Sequence, residues 1–244
     1  MSRANIIIAG DSWACGEWSN NNNNYGISHF GLTKHLIDDY QVINLSQPGG
    51  ANRGNVDRIA NFLELNPHLP VTDAIVFQTE WIRDIFIEEP DILADDLKNG
   101  YCELKNRLLS RFYQKLSKAS LTYNVSIHIV GGCSDAIWLD RFAEEYPGLQ
   151  ISCQSLTNLL INNDHRTLTP VHALFTKRKE NEVDYIKRHF NNTDLKLLLN
   201  DIDLGHQRLN LWRENKEYFW PDGAHANQLG HQVLFNFLKT KINI

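Results

Sequence analysis

The sequence predicts an α/β protein, a three-layer α/β/α sandwich around a mainly parallel sheet, with a helical insertion before its last motif. Three observations predict it. Short apolar, β-branched runs recur along the chain, each bounded by turn or polar residues. Between them lie segments with apolar residues at helical spacing, so strand and helix alternate. No Pro/Gly/Ser-rich linker or abrupt change of composition divides the 244 residues, which therefore read as one domain spanning 1–244.

The elements follow in order. Asn5–Ala9 reads as a buried strand. Apolar residues around Phe30 and His35–Ile37 predict a helix before a second strand, Gln41–Leu45. Val56, Ile59, Phe62 and Leu63 predict another helix before a third strand, Thr72–Gln78. A long helical pattern from Ile92 to about Tyr123 puts Leu97, Tyr101, Leu104, Leu108 and Phe112 on one stripe and leads into a fourth strand, Ser126–Gly131. Leu149–Cys153 is a candidate fifth strand. From about 164 to 219 the chain carries helical patterns (Val183–Phe190 and Leu195–Leu211) without a clear strand. This stretch is the expected insertion, and a candidate cap over the pocket. Gln228–Lys241 reads as the final helix, with Leu229, Val233, Phe237 and Leu238 turned inward. The asparagine run Asn20–Asn24 reads as a surface loop near the mouth of a site.

Composition narrows the partners. A formal net charge of -5 gives no electrostatic reason for nucleic acid as the main partner. The basic Lys177-Arg178-Lys179 is followed at once by Glu180, Glu182 and Asp184, which reads as a solvated helix face. Cys15, Cys102, Cys133 and Cys153 have no CxxC pairing or ligand spacing, so no metal is expected and a reducing compartment is. His29, His35, His165, His172 and His206 have no metal-ligand spacing either, and His231 reads as structural. The apolar run near the N-terminus is too short for a signal peptide or a membrane span. A cytoplasmic protein without a membrane partner is the expectation, with a virion or another export route left open.

Two short motifs carry the chemistry. Gly10-Asp11-Ser12 follows the first strand, where open α/β sheets place ligands. Asp222-Gly223-Ala224-His225 precedes the last helix. Alone, each is ordinary: Ser12 also reads as a turn or cap residue, and Pro221-Asp222-Gly223 as a turn before a helix cap. Together they supply a nucleophile (Ser12), a base (His225) and a carboxylate (Asp222) able to fix the imidazole tautomer. Such a site requires the two ends of the chain to meet.

Gly10-Asp11-Ser12-Trp13 resembles the first block of the SGNH (GDSL-like) hydrolases, and the run from Asp222 to His231 resembles the last. Asn44-Leu45-Ser46-Gln47-Pro48-Gly49-Gly50-Ala51-Asn52 resembles the segment whose glycine lends a backbone N–H to the oxyanion hole. Counting from Asn44, Gly49 fits that slot best, with Gly50 as the alternative. The resemblance implies an SGNH/flavodoxin-like sandwich, a Ser12–His225–Asp222 triad, and an oxyanion hole built on Ser12 and Gly49. It implies no cofactor. The substrate class it implies is a small acyl ester, acetyl included, or an acylated carbohydrate.

One block departs from the family. Its third strand should end in Gly-x-Asn-Asp, with the Asn side chain donating to the oxyanion; here it ends Phe77-Gln78-Thr79-Glu80-Trp81-Ile82-Arg83-Asp84. Glu80 or Trp81 takes the Asn place, depending on register. An ionised Glu80 only accepts and repels a developing negative charge, whereas Trp81, Gln78 or Thr79 could donate. Glu80 alternatively pairs with Arg83, binds substrate hydroxyls, or is a helix N-terminal acid. Losing one such donor elsewhere costs about 3–4 kcal/mol of barrier stabilisation. The alternatives to an active esterase are therefore an impaired glycan- or ligand-binding protein on the same scaffold, and a component of a larger assembly. Trp13, Trp18, Trp81 and Trp220 serve either as an apolar or sugar-stacking rim or as core.

Overall fold

The computed structural model describes residues 4–16, 30–81, 83–84, 100–136, 141–167, 192–220 and 225–242. Its centre is a sheet of five parallel strands: β1 (Asn5–Ala9), β2 (Gln41–Asn44), β3 (Val71–Gln78), β4 (Ser126–Gly131) and β5 (Leu149–Cys153). Their spatial order is β2-β1-β3-β4-β5, the doubly wound flavodoxin-like order, with its switch point between β1 and β3. The fifth strand is real. Central strands rich in Ile and Val are covered on both faces, as parallel sheets require.

The helices divide between the faces. On one lie α3 (Asn52–Leu65), α4 (Tyr101–Tyr123) and the short α5 (Phe142–Glu145). Val56, Ile59, Leu104, Phe112 and Leu116 pack there against Ile7, Val76 and Ile129. On the other lie α1 (Ser12–Cys15), α2 (Gly31–Leu36), α6 (Leu156–Asn162), α7 (Asn192–Glu214) and α8 (Gln228–Leu238). Trp13, Leu32, Leu160, Trp212 and Leu234 cover Ile6, Ile8, Ile75 and Phe77 on that side. The result is three layers. Among the described residues no helix is long and apolar enough to cross a membrane.

Several expectations change in detail. The inward face of α8 is His231, Leu234, Phe235 and Leu238, while Leu229 is 44% exposed. Val233 and Phe237 are partly buried against the same core, so of the residues expected to face inward only Leu229 turns out, while Gly230 sits close to the Tyr218 carbonyl and Ala226. Helices α5 and α6 were not anticipated. The expected helix Leu195–Leu211 lies within α7, and its Leu209 and Trp212 join the core rather than standing off it. Trp212 lies against Trp13 with ring centroids 5.0 Å apart. Trp13 and Trp81 are core residues and not a rim. The asparagine run, Trp18, the first part of the long helical pattern, Val183–Phe190 and Asp222 lie outside the described residues.

Candidate active site

Ser12 opens α1 immediately beyond the carboxyl end of β1. The turn between them depends on Gly10. A Cβ there would stand 2.6 Å from the Ala14 Cβ and 2.8 Å from the Phe77 Cβ, so only glycine lets the loop pass this close to β3. Asp11 caps the helix: its Oδ1 accepts from the Trp13 N–H at 3.0 Å. Its Oδ2 accepts from the Thr79 hydroxyl at 2.8 Å and from Arg83 Nη1 at 2.9 Å. The residue before Ser12 is thereby tied to the loop after β3.

His225 comes from the opposite end of the chain. The Trp220 N–H donates to its carbonyl at 2.9 Å, and Phe219 and Ala226 form an antiparallel bridge beside it. Asn227 closes the segment, accepting from the Gly230 N–H at 3.0 Å as the cap of α8 and donating through Nδ2 to the Glu217 carbonyl at 2.8 Å. Held this way, the imidazole Nε2 lies 2.8 Å from Ser12 Oγ across 213 positions of sequence. The two ends meet. That distance is within the range of a nucleophile–base hydrogen bond.

The loop after β2 is drawn against the turn that carries Ser12. The Gln47 N–H donates to the Gly10 carbonyl at 3.0 Å, and Arg58 Nε to the Leu45 carbonyl at 2.8 Å. Of the two glycines expected to line an oxyanion hole, Gly50 has spent its N–H on the Gln47 carbonyl at 2.8 Å. Gly49 is exposed with φ 70, a left-handed conformation that glycine adopts without strain. Asn52, at the start of α3, bonds both backbone groups of Thr79, each at 3.0 Å, and so joins this loop to the one after β3.

Among its described residues, the loop after β3 does not present a neutral amide donor. Glu80 is buried and pairs with Arg83, whose Nε lies 2.7 Å from Glu80 Oε2. Gln78 is committed, donating to the Asp135 carbonyl at 3.2 Å and accepting from the Tyr113 hydroxyl. Thr79 gives its hydroxyl to Asp11. Trp81 sits in the core on the α3/α4 side, which removes it as the replacement donor. Burial alone would lower the Arg83 pKa, but Glu80 and Asp11 outweigh it and hold the guanidinium firmly charged. Burial, together with Glu80, pushes the neighbouring Cys133 thiol up, so it is not a competing nucleophile. Among the described residues no group of His, Cys, Asp or Glu is placed to hold a metal ion.

No family model and no curated protein matches the chain. Among solved structures it is similar to a psychrotrophic esterase from a Pseudoalteromonas species, at 15% identity over 98% of this chain and 99% of that one, with a TM-score of 0.44. It is similar to an acetyl xylan esterase at 15% identity, 98% and 99% coverage and a TM-score of 0.43. A lipase/acylhydrolase from Enterococcus faecalis aligns at 13% identity, 98% and 95% coverage and a TM-score of 0.40.

Proposed function

We propose that this chain is an α/β serine hydrolase with Ser12 as nucleophile and His225 as general base. More narrowly, it is an SGNH-type esterase acting on a small acyl ester, acetyl included, with acylated carbohydrate as the substrate class. The observation that carries this reading is the 2.8 Å approach of Ser12 Oγ to His225 Nε2 at the switch point of the sheet.

His225 takes the proton as Ser12 attacks the ester carbonyl carbon. The backbone N–H groups of Ser12 and Gly49 stabilise the oxyanion, and Asp222 orients the imidazole. His225 returns the proton to the departing alcohol. Water, activated by the same imidazole, then releases the acid from the acyl-enzyme. The test is turnover of p-nitrophenyl acetate by wild type beside Ser12→Ala and His225→Ala. Loss in both variants supports the reading; equal rates in wild type and Ser12→Ala remove it.

Glu80 at the Asn place favours a second reading, a binding protein for glycan or acyl ligands on the same scaffold, alone or within a larger assembly. It predicts ligand binding without turnover. Reaction of Ser12 with a fluorophosphonate counts against it.

A further inference from the structure

Among its described residues the loop after β3 lacks the expected neutral donor, yet it carries a cation three residues beyond Glu80. Arg83 reaches back across Glu80 and holds three loops at the carboxyl edge of the sheet. Nε donates to Glu80, and Nη1 donates to Asp11 Oδ2 at 2.9 Å and to the Gly50 carbonyl at 3.4 Å. Asp11 directly precedes Ser12, and Gly50 directly follows Gly49. The guanidinium thus touches a chain neighbour of each of the two backbone groups that the hydrolase reading assigns to the oxyanion hole. Nη2 has only the Cys133 sulfur, at 3.9 Å, and no oxygen acceptor among the described residues. The side chain is 19% exposed, whereas those of Glu80 and Asp11 are each 1% exposed. Of the three charged side chains, the arginine alone retains appreciable exposure.

We propose that Arg83 supplies the third oxyanion donor, its Nη2 N–H doing what an Asn amide would otherwise do. The inference rests on the esterase reading and deepens it. Glu80 then has a different part. Acceptor-only, it cannot stabilise the oxyanion, but it anchors Nε and orients the planar fork that carries Nη2. One guanidinium between two carboxylates leaves the cluster with a net negative charge. The gain is therefore a directed N–H rather than a positive field, and the site stabilises its transition state less well than a neutral amide would.

The experiment is steady-state hydrolysis of p-nitrophenyl acetate by four proteins: wild type, Arg83→Met, Arg83→Lys and the double variant Glu80→Asn with Arg83→Met. Folding is followed by circular dichroism and Tm. Arg83→Met is expected to lower kcat by about 100- to 1000-fold with KM little changed, the usual loss for one oxyanion donor. Arg83→Lys keeps part of the activity. The double variant, which removes the Glu80–Arg83 pair, leaves Asp11 on Thr79 and Trp13, and returns an amide, recovers at least tenfold over Arg83→Met. Arg83 loses this role if Arg83→Met stays within threefold of wild type, or if a folded double variant is no better than the single one. If wild type shows no Ser12-dependent turnover or fluorophosphonate labelling, the hydrolase reading itself falls and takes this inference with it. If Ser12-dependent turnover stands and Arg83 proves silent, only the inference falls.

Discussion

Among the described residues two serine–histidine pairs stand out, and they differ in a telling way. Ser12 and His225 meet beyond the carboxyl end of the sheet, on a helix start and on a loop. Ser152, His128 and Asp73 meet within the sheet, side by side on β5, β4 and β3. His128 Nδ1 lies 3.0 Å from Ser152 Oγ, and Nε2 lies 2.9 Å from Asp73 Oδ1. By residue type and distance the second trio is as good a triad as any. Its setting is what differs. Asp73 lies five residues before Gln78, about 16 Å along β3 from the edge where Ser12 stands. Ser152 sits at a break in register, where Ile129 pairs with Ile151 but Val130 pairs with Cys153. Ser12 begins a helix in which Asp11 takes the N–H groups of Trp13, Ala14 and Cys15, so the N–H of Ser12 itself is the one the hydrolase reading turns toward an oxyanion. Ser152 has no helix start beneath it, although it lines a cavity of about 820 Å³. On the hydrolase reading, competence depends on a spare donor beside the serine, and not on three residue types within reach.

The largest test of this contrast is chemical. A fluorophosphonate should label the Ser12 peptide and leave the Ser152 peptide unmodified in mass spectra, and Ser152→Ala should hydrolyse p-nitrophenyl acetate at the wild-type rate per folded molecule. Labelling at Ser152 would break the comparison. Next in size is His128→Ala, which leaves the Asp73 carboxylate without its ring partner in a half-buried position. It should cost about 1–3 kcal/mol in urea unfolding while leaving activity per folded molecule unchanged. Gly10→Ala is the matching probe at the other site. Its methyl collides with Ala14 and Phe77, so a loss of about 1–3 kcal/mol is expected, together with slower Ser12 labelling as the turn shifts.

The smallest effect concerns acid. Burial would raise the Asp73 carboxyl, but hydrogen bonds from His128 and Thr72 and the charge of the His128 ring outweigh it and hold the pKa below its ordinary value. A depressed folded-state value contributes stability that is full above the unfolded carboxylate pKa and fades as pH falls through the folded one. Asp73→Asn should therefore flatten the urea-midpoint profile on its acid limb, below about pH 4. An unchanged slope there would show that the trio adds no acid sensitivity.

Much of this architecture could be read from the sequence because its signals are local. The strands are unbroken Ile/Val runs between polar turns, and Gly10-Asp11-Ser12 follows one of them directly. The short α6 escaped notice because Leu156 through Leu160 are all buried, which erases amphipathic periodicity. On α8 the apolar spacing finds Val233, Phe237 and Leu238 but not the buried His231, because a histidine carries no apolar signal. The pairing of Glu80 with Arg83 was one of the readings the sequence offered, since the two lie three residues apart. The reach of Arg83 to Asp11 spans 72 positions, and no pattern in the chain announces it.

Helix α7 matters for anyone wishing to shorten this protein. Its Arg208 lies wholly inside, 2.7 Å from an equally enclosed Asp135 in the segment after β4, and its Trp212 backs the indole that follows Ser12. Trimming that stretch would strip a dry carboxylate of its guanidinium, a loss of about 3–5 kcal/mol when one member of such a couple is deleted. It would also open a gap directly behind Trp13. What looks along the chain like an accessory is a keystone, and a minimal version of the fold must keep it or redesign both contacts together.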